Sequence, residues 1–498
     1  MPRPKLLLLA GIVFVGLIAV ACLTRERALL ADTKTKAPPA PSGSARPTKG
    51  PRYPSVLIEG VPCLRQKPDF CGEACAAMYL RRLGQDADQD YVFDRSGLDP
   101  SKARGCYTKE LAEALKNIGF RTGDVWHKIA VAQAPRQMER QWAALHADLL
   151  REIPSIVCMR YDARPGASEH FRLVLGYDAP TDKVIYHEPA EPNGAYRRMP
   201  RGRFLELWPL KYANDTWTVI RLRLEPARSI VAKASAGLTG ADYAQHLMKL
   251  AERLPGKEFH VVLASPFVVI GDESAETLRR RAKRTVQWAT DMLKQDYFKK
   301  DPAEILEIWL FKDKASYERH AAALFRAKPD TPFGYFSHTD RALVMNIATG
   351  GGTLVHEMVH AFMEPNFPTC PAWFNEGLAS LYEQCGAEDG HIHGYTNWRL
   401  AGLQKAIRAG KVPSFQTLTG TTDHQFYHED PGTNYAQARY LCYYLQQRGL
   451  LRTFYRRFHA AAEKDPTGYR TLQAVLERDD MDAFQKEWEA YVLKLTFP

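Results

Sequence analysis

The sequence predicts an α+β chain of two domains that follow an N-terminal apolar segment. Three observations predict it. The 498 residues exceed one ordinary hydrophobic core, which seldom grows past about 250–300 residues. Between residues 56 and 225, helical patterns give way to short apolar runs at 154–161, 169–178 and 183–189, bounded by Gly, Pro and Asp, and these read as strands. Beyond residue 352 the pattern is almost entirely helical. A composition of 45% hydrophobic, 11% aromatic and 25% charged residues is that of a globular protein and excludes a disordered, collagenous or coiled-coil chain.

At the N-terminus, Arg3 and Lys5 precede an apolar run from Leu6 to Leu23. A charged stretch followed by an apolar one is the layout of an export signal. The run ends Ala19-Val20-Ala21-Cys22, which reads as a small-x-small cleavage site and also resembles a bacterial lipobox in which Cys22 becomes the lipidated residue. Eighteen apolar residues are also enough for an uncut membrane span. Residues 1–23 are therefore expected to be a signal peptide, lipoprotein signal or anchor, with the rest of the chain exported to the cell envelope. Residues 24–55, rich in Pro, Lys, Ser and Ala, read as a flexible tether with a reach on the order of 30 Å.

The net charge of +10 does not mark a nucleic-acid binder. Nine Lys/Arg and only two acids lie in residues 1–55, so most of the excess belongs to the tail, where it suits a membrane surface. A GxxxxGK[ST] phosphate loop is absent, so no nucleotide partner is expected. The expected order is a first domain at 56–225, a linker at 226–240 and a second domain at 241–498. The second domain opens with a helix at 242–254, strands within 259–272, a long charged helix at 274–297, and further strands at 305–311 and 341–348. Nine cysteines in an exported chain suggest disulfides. Cys370 with Cys385, which flank one predicted helix, is the first expectation, and Cys63 with Cys106 the second.

The sharpest motif is His356-Glu357-Met358-Val359-His360. Residues four apart on a helix are about 40° apart around its axis, so both imidazoles address one point. Glu357 sits at the edge of that face, where a carboxylate can reach water. Gly350-Gly351-Gly352-Thr353 reads as the helix start with Thr353 as N-cap, and Leu354, Val355, Val359 and Phe362 as its buried face. A second helix, Trp373-Phe374-Asn375-Glu376-Gly377-Leu378-Ala379, offers Glu376 as a third ligand. Two His and one Glu leave a fourth position open on zinc, the catalytic arrangement. His391, His393, His424 and His428 read as surface-loop residues, and the aromatics around Tyr440–Tyr444 as core.

HExxH followed by a helix carrying NEGLA resembles the gluzincin metallopeptidases, and the resemblance implies a zincin-like fold for the second domain. It implies one Zn²⁺ held by His356, His360 and Glu376, with Glu357 as general base and a peptide or protein as substrate. Tyr435, at the start of the helix that follows Asn434, matches the tyrosine that stabilises the oxyanion in several gluzincins. The stretch between ligands is shorter than in the aminopeptidase branch, so exopeptidase specificity is not carried over.

In the first domain, Gln66-Lys67-Pro68-Asp69-Phe70-Cys71-Gly72-Glu73-Ala74-Cys75 places Cys71 at a predicted helix start. There the macrodipole and an imidazolium can depress a thiol pKa. Gln66 can donate to an oxyanion, His170 lies on a predicted strand, and Glu188 precedes Pro189 on the next one. The order Gln, Cys, His, acid resembles papain-like enzymes, and most nearly the bacteriocin-processing, double-glycine leader cysteine peptidases. By that resemblance Gln66 is the oxyanion residue, Cys71 the nucleophile, His170 the base and Glu188 the third member. That family usually carries Asp where this chain has Glu188, and His187 and Glu191 are rivals for the role. The alternative is a first domain that binds peptide or cell wall without cutting, beside an active zinc site.

Overall fold

Helix α1 (Cys71–Arg82) organises the first half. Its residues from Gly72 to Leu80 are all buried, which is why the stretch CGEACAAMYL carries small and apolar side chains on every face. The computed structural model describes residues 52–233, 237–326, 329 and 331–497, and residues from Tyr53 onward form one unit. The apolar N-terminal run, Cys22 and nearly all of the tether lie outside the described residues. No helix among those described is long and apolar enough to cross a membrane.

Beside α1 lie α2 (Gln89–Asp94), α3 (Thr108–Ile118) and α4 (Ala134–Leu149). They accompany a seven-stranded sheet of β1 (Val56–Leu57), β2 (Trp126–Ala130), β3 (Ser155–Arg160), β4 (Glu169–Asp178), β5 (Lys183–His187), β6 (Arg197–Pro200) and β7 (Thr216–Arg223). The sheet order is β2-β7-β3-β4-β5-β6, and β1 pairs with β4. The three runs read as strands are β3, β4 and β5, antiparallel neighbours in register Met159↔His170 and Leu173↔His187. Antiparallel pairing fits their order, because short turns join them.

Helix α5 (Gly240–Arg253) spans the two halves. Its Ala241 and Ala244 belong to the first core, whereas Tyr243, Leu247 and Leu250 pack with the second sheet. The segment expected as a linker is partly pinned: the Ala232 N–H donates to Gln85 Oε1 at 2.9 Å and Ile230 is buried. The α5 side chain of Gln245 reaches back to donate to the Pro68 carbonyl at 2.9 Å, on the stretch that leads into Cys71.

The second half opens with a five-stranded sheet of β8 (His260–Ala264), β9 (Phe267–Gly271), β10 (Leu306–Phe311), β11 (Gly334–Ser337) and β12 (Ala342–Asn346), in order β8-β9-β10-β12-β11. The charged helix expected at 274–297 is α6 (Ala275–Arg281) and α7 (Trp288–Asp296), joined through one wider π-helical stretch, Ala282–Gln287. Helix α8 (Lys314–Phe325) follows β10.

The helical remainder carries α9 (Gly352–Asn366) and α10 (Ala372–Leu381). Helix α9 begins at Gly352 with Gly351 as its cap, so Thr353 is not the N-cap. Gly352 lies so close to the Glu383 carbonyl that a Cβ there would approach it to 2.1 Å, which explains why the helix opens on glycines. Gly377 plays the same part on α10, where a Cβ would sit 2.9 Å from the Ala438 carbonyl of α12 (Pro431–Gln447), beyond α11 (Asp423–His428).

The HIHG segment is not a loop. It is one strand (His391–Gly394) of a hairpin with Cys385–Glu388. Alternation buries Ile392, and His391 Nδ1 lies 2.6 Å from Asp296 Oδ1 of α7. His424 and His428 are exposed on α11.

The expected disulfides do not form, and all eight cysteines among the described residues are free. Ten-residue α10 separates Cys370 from Cys385 by about 15 Å of helix, far beyond the roughly 4.4–6.8 Å between α-carbons that a bridge needs. Cys106 lies against Glu73 and Ser96, whereas Cys63 lies toward Glu188.

Candidate functional site

The first constellation assembles where α1 meets β4 and β5. Cys71 is the first residue of α1, and its thiol accepts a hydrogen bond from the Phe171 N–H, next to His170. The Gln66 N–H donates to the Pro189 carbonyl at 2.9 Å, and Gln66 Oε1 is buried without a partner. His170 Nε2 bonds Glu188 Oε1, which leaves Nδ1 as the nitrogen able to take a thiol proton.

Both rivals to Glu188 are engaged elsewhere. His187 accepts the Tyr196 N–H at Nδ1 (2.9 Å), so Nε2 carries the proton and donates to the Val61 carbonyl at 2.9 Å. Glu191 accepts the Tyr161 hydroxyl at 2.7 Å. Strand alternation separates His187 from Glu188, since adjacent residues face opposite sides.

Arg172 is a member that sequence reasoning missed. Its Nε donates to Glu188 Oε2 at 2.6 Å. The legible signal was spacing: His170 and Arg172 are two apart on one strand and share a face. Burial works against charge on Glu188, yet His170 and Arg172 outweigh it and hold the carboxyl below its ordinary range.

Cys71 departs from expectation. Burial pushes its thiol up to about 12; the Phe171 N–H acts the other way, and Glu73 and Asp69 add to the rise. The helix terminus therefore does not by itself produce a thiolate. The two acids that flank it were visible in the sequence, but their reach to the sulfur was not.

The second constellation is formed by α9 and α10. His356 Nε2 and His360 Nε2 lie 3.1 Å apart, and Glu376 Oε2 lies 3.3 Å and 3.5 Å from them. Two nitrogens and one oxygen on a tetrahedral zinc, at about 2.0–2.1 Å each, would stand about 3.3–3.4 Å from one another. Glu376 Oε2 is buried without a hydrogen-bond partner and faces both imidazoles. This donor set and spacing fit a zinc ion.

The outer partners of these residues were also missed. Asn375 Oδ1 lies 2.9 Å from His360 Nδ1. Glu383 Oε1 lies 3.5 Å from His356 Nδ1 and is itself gripped by Arg399 (2.7 and 3.0 Å) and Asn397 (2.8 Å). Tyr427 donates to Glu376 Oε1 at 2.9 Å. Burial opposes charge on Glu376, but the His356 and His360 interactions prevail and hold its carboxyl far below the ordinary range.

Glu357 is half-exposed and lines two cavities of about 1130 Å³ and 640 Å³, which share Gly334, His356, Glu357 and Tyr435. Tyr435 is half-buried; burial and then the Glu376 charge push its phenol up, so it stays a hydrogen-bond donor. Edge strand β11 supplies Gly334 at the junction of the two cavities.

Residues 58–214 match the family model described as the Peptidase_C39 like family. Among solved structures, the chain is similar to the peptidase domain of Streptococcus ComA, a bifunctional ABC transporter involved in a quorum-sensing pathway. Identity is 17%, the TM-score is 0.22, and the match covers 33% of this chain and 99% of that one. No curated protein matches the chain. Residues 58–214 of this mixed α/β molecule are thus similar to a C39-like peptidase domain.

Proposed function

We propose that the chain is an exported, membrane-tethered bacterial peptidase with a zinc site on α9 and α10 and a cysteine site at Cys71. The observation that carries the zinc reading is the convergence of His356, His360 and Glu376 at the edge lengths of a zinc tetrahedron, around an orphaned carboxylate oxygen. Zinc, when bound, supplies Lewis acidity to a peptide carbonyl and to water. Glu357, outside the ligand set, takes a proton from water and returns it to the leaving amine. Tyr435 donates to the oxygen on which charge develops. Asn375 Oδ1 accepts from His360 Nδ1, and Glu383 Oε1 faces His356 Nδ1 at 3.5 Å, so both Nε2 lone pairs are free for metal. The groove made by the two cavities accommodates an extended peptide on either side of Glu357.

Export and tethering rest on Arg3, Lys5, the run Leu6–Leu23 and the basic tether. At the cysteine site, His170 oriented by Glu188 is the proton acceptor and Gln66 the oxyanion donor. A second reading, in which the first domain binds peptide without cutting it, is favoured by one observation: the Cys71 thiol is buried beside Glu73 and Asp69, surroundings that oppose a thiolate.

Digestion of a mixed peptide library by the wild-type chain, with and without a chelator, and by Cys71→Ala tests both readings. Chelator-sensitive cleavage is expected. Its loss in Cys71→Ala with zinc present would assign the cutting to the cysteine instead. Asn375→Ala is expected to weaken zinc affinity about 10–100-fold, read by competition against a chromophoric chelator. Unchanged affinity would remove Asn375 from this role.

A further inference from the structure

Arg172 lies on β4, two residues from His170 and on the same face of the sheet. The register Leu173↔His187 sets Arg172 opposite the next residue, Glu188. The side chain is almost fully buried and its donors are directed to fixed acceptors. Nε donates to Glu188 Oε2 at 2.6 Å, Nη1 to the Arg160 carbonyl at 3.2 Å and Nη2 to the Tyr161 carbonyl at 2.9 Å. The guanidinium also stands 5.3 Å from the Tyr161 ring and 5.6 Å from that of Tyr186. The Tyr161 ring meets His170 edge-on at 5.3 Å.

Glu188 thus divides its two oxygens, Oε1 to His170 and the Ala190 N–H (3.3 Å), and Oε2 to Arg172. A glutamate has three side-chain torsions to fix, and hydrogen bonds to one oxygen alone do not fix them. The planar fork of an arginine anchored on two backbone carbonyls does.

We propose that Arg172 is the positioning residue of the cysteine site: it locks Glu188 against His170 and its positive charge sets the pH range over which Cys71 and His170 exchange a proton. The proposal rests on the cysteine reading above. The titratable and charged groups around this cluster are Cys71, Glu73 and Cys75 on α1, Asp69 before it, Cys63, Cys158 on β3, Glu169 on β4, Tyr161, Tyr186, Glu191 and Arg197. Arg172 and Arg197 are the cations among them. Without Arg172 the full charge of Glu188 falls on His170, and the cluster loses a positive charge.

The test is the rate of Cys71 alkylation by iodoacetamide from pH 5 to 10, read on the Cys71 peptide by mass spectrometry, in the full chain. The proteins are wild type, His170→Ala, Arg172→Met and Arg172→Lys. Under the cysteine reading, in which a His170 imidazolium offsets the burial of Cys71, wild type reacts at pH 6 faster than an ordinary thiol and His170→Ala loses that reactivity. Arg172→Met is expected to move both limbs of the profile up by about one pH unit, so that its rate at pH 6 falls about tenfold. Arg172→Lys keeps the charge and loses the fork, so its limbs stay in place while its rate drops several-fold. A merely structural residue would lower the amplitude of Arg172→Met without moving its limbs, and that result overturns the proposal. Should Arg172→Met not fold, an Arg172→Lys profile superimposable on wild type overturns it. A wild type with no His170-dependent reactivity overturns the cysteine reading, and the proposal with it.

Discussion

Glu357→Gln is expected to keep its zinc and its fold while losing about 10³-fold or more in kcat/KM on peptide substrates, some 4 kcal/mol of transition-state stabilisation. Glu357 follows His356 on α9 but is outside the trio of converging ligand atoms, and it lines both halves of the groove. The substitution removes a proton acceptor and leaves the ligand set, the α9–α10 packing and Gly352 untouched. Zinc content by mass spectrometry and thermal unfolding should both match wild type. Full activity in the variant would remove Glu357 from the chemistry. Loss of zinc together with activity would mean that Glu357 acts as a ligand.

The second large effect is on stability. Glu73 is fully buried on α1; Oε1 accepts the Cys106 N–H at 2.7 Å and Oε2 has no partner. Burial pushes this carboxyl up to about 7, with the Cys106 N–H opposing. Because the folded-state value lies above the unfolded one, the protonated group stabilises the fold. That contribution is complete below about pH 4.5 and is lost as pH rises through about 7. Its full size is about 3 kcal/mol. Glu73→Gln, which carries no charge, is therefore expected to stabilise the chain at pH 8 and to flatten stability between pH 5 and 8 in denaturant unfolding. It also withdraws one negative charge from beside Cys71. A variant as pH-dependent as wild type would show that Glu73 is not the group responsible.

Local pattern carried much of the site. The four-residue spacing of His356 and His360 needs only helical geometry to be read, and the NEGLA stretch needs only one more helix. The three strands around His170 and Glu188 were legible because alternation and Gly, Pro and Asp boundaries are local signals. What stayed hidden depends on contacts between distant segments. Glu383 is held by Arg399 from sixteen residues further on, and Tyr427 reaches Glu376 across fifty-one. Arg172 was concealed differently: a charged residue in an apolar strand reads as an outward-facing position until its cross-strand partner is known. The Cys71 environment failed for a related reason. A helix N-terminus is visible in sequence, but the burial that overrides its dipole is not.

The measurement that bears most directly on the central claim is the zinc stoichiometry of the purified full chain after dialysis against buffered zinc, beside Glu376→Ala and Glu357→Gln. One zinc per chain is expected in wild type and in Glu357→Gln, and a folded but metal-free Glu376→Ala. Wild type without bound zinc, or with zinc that Glu376→Ala retains in full, would contradict the account.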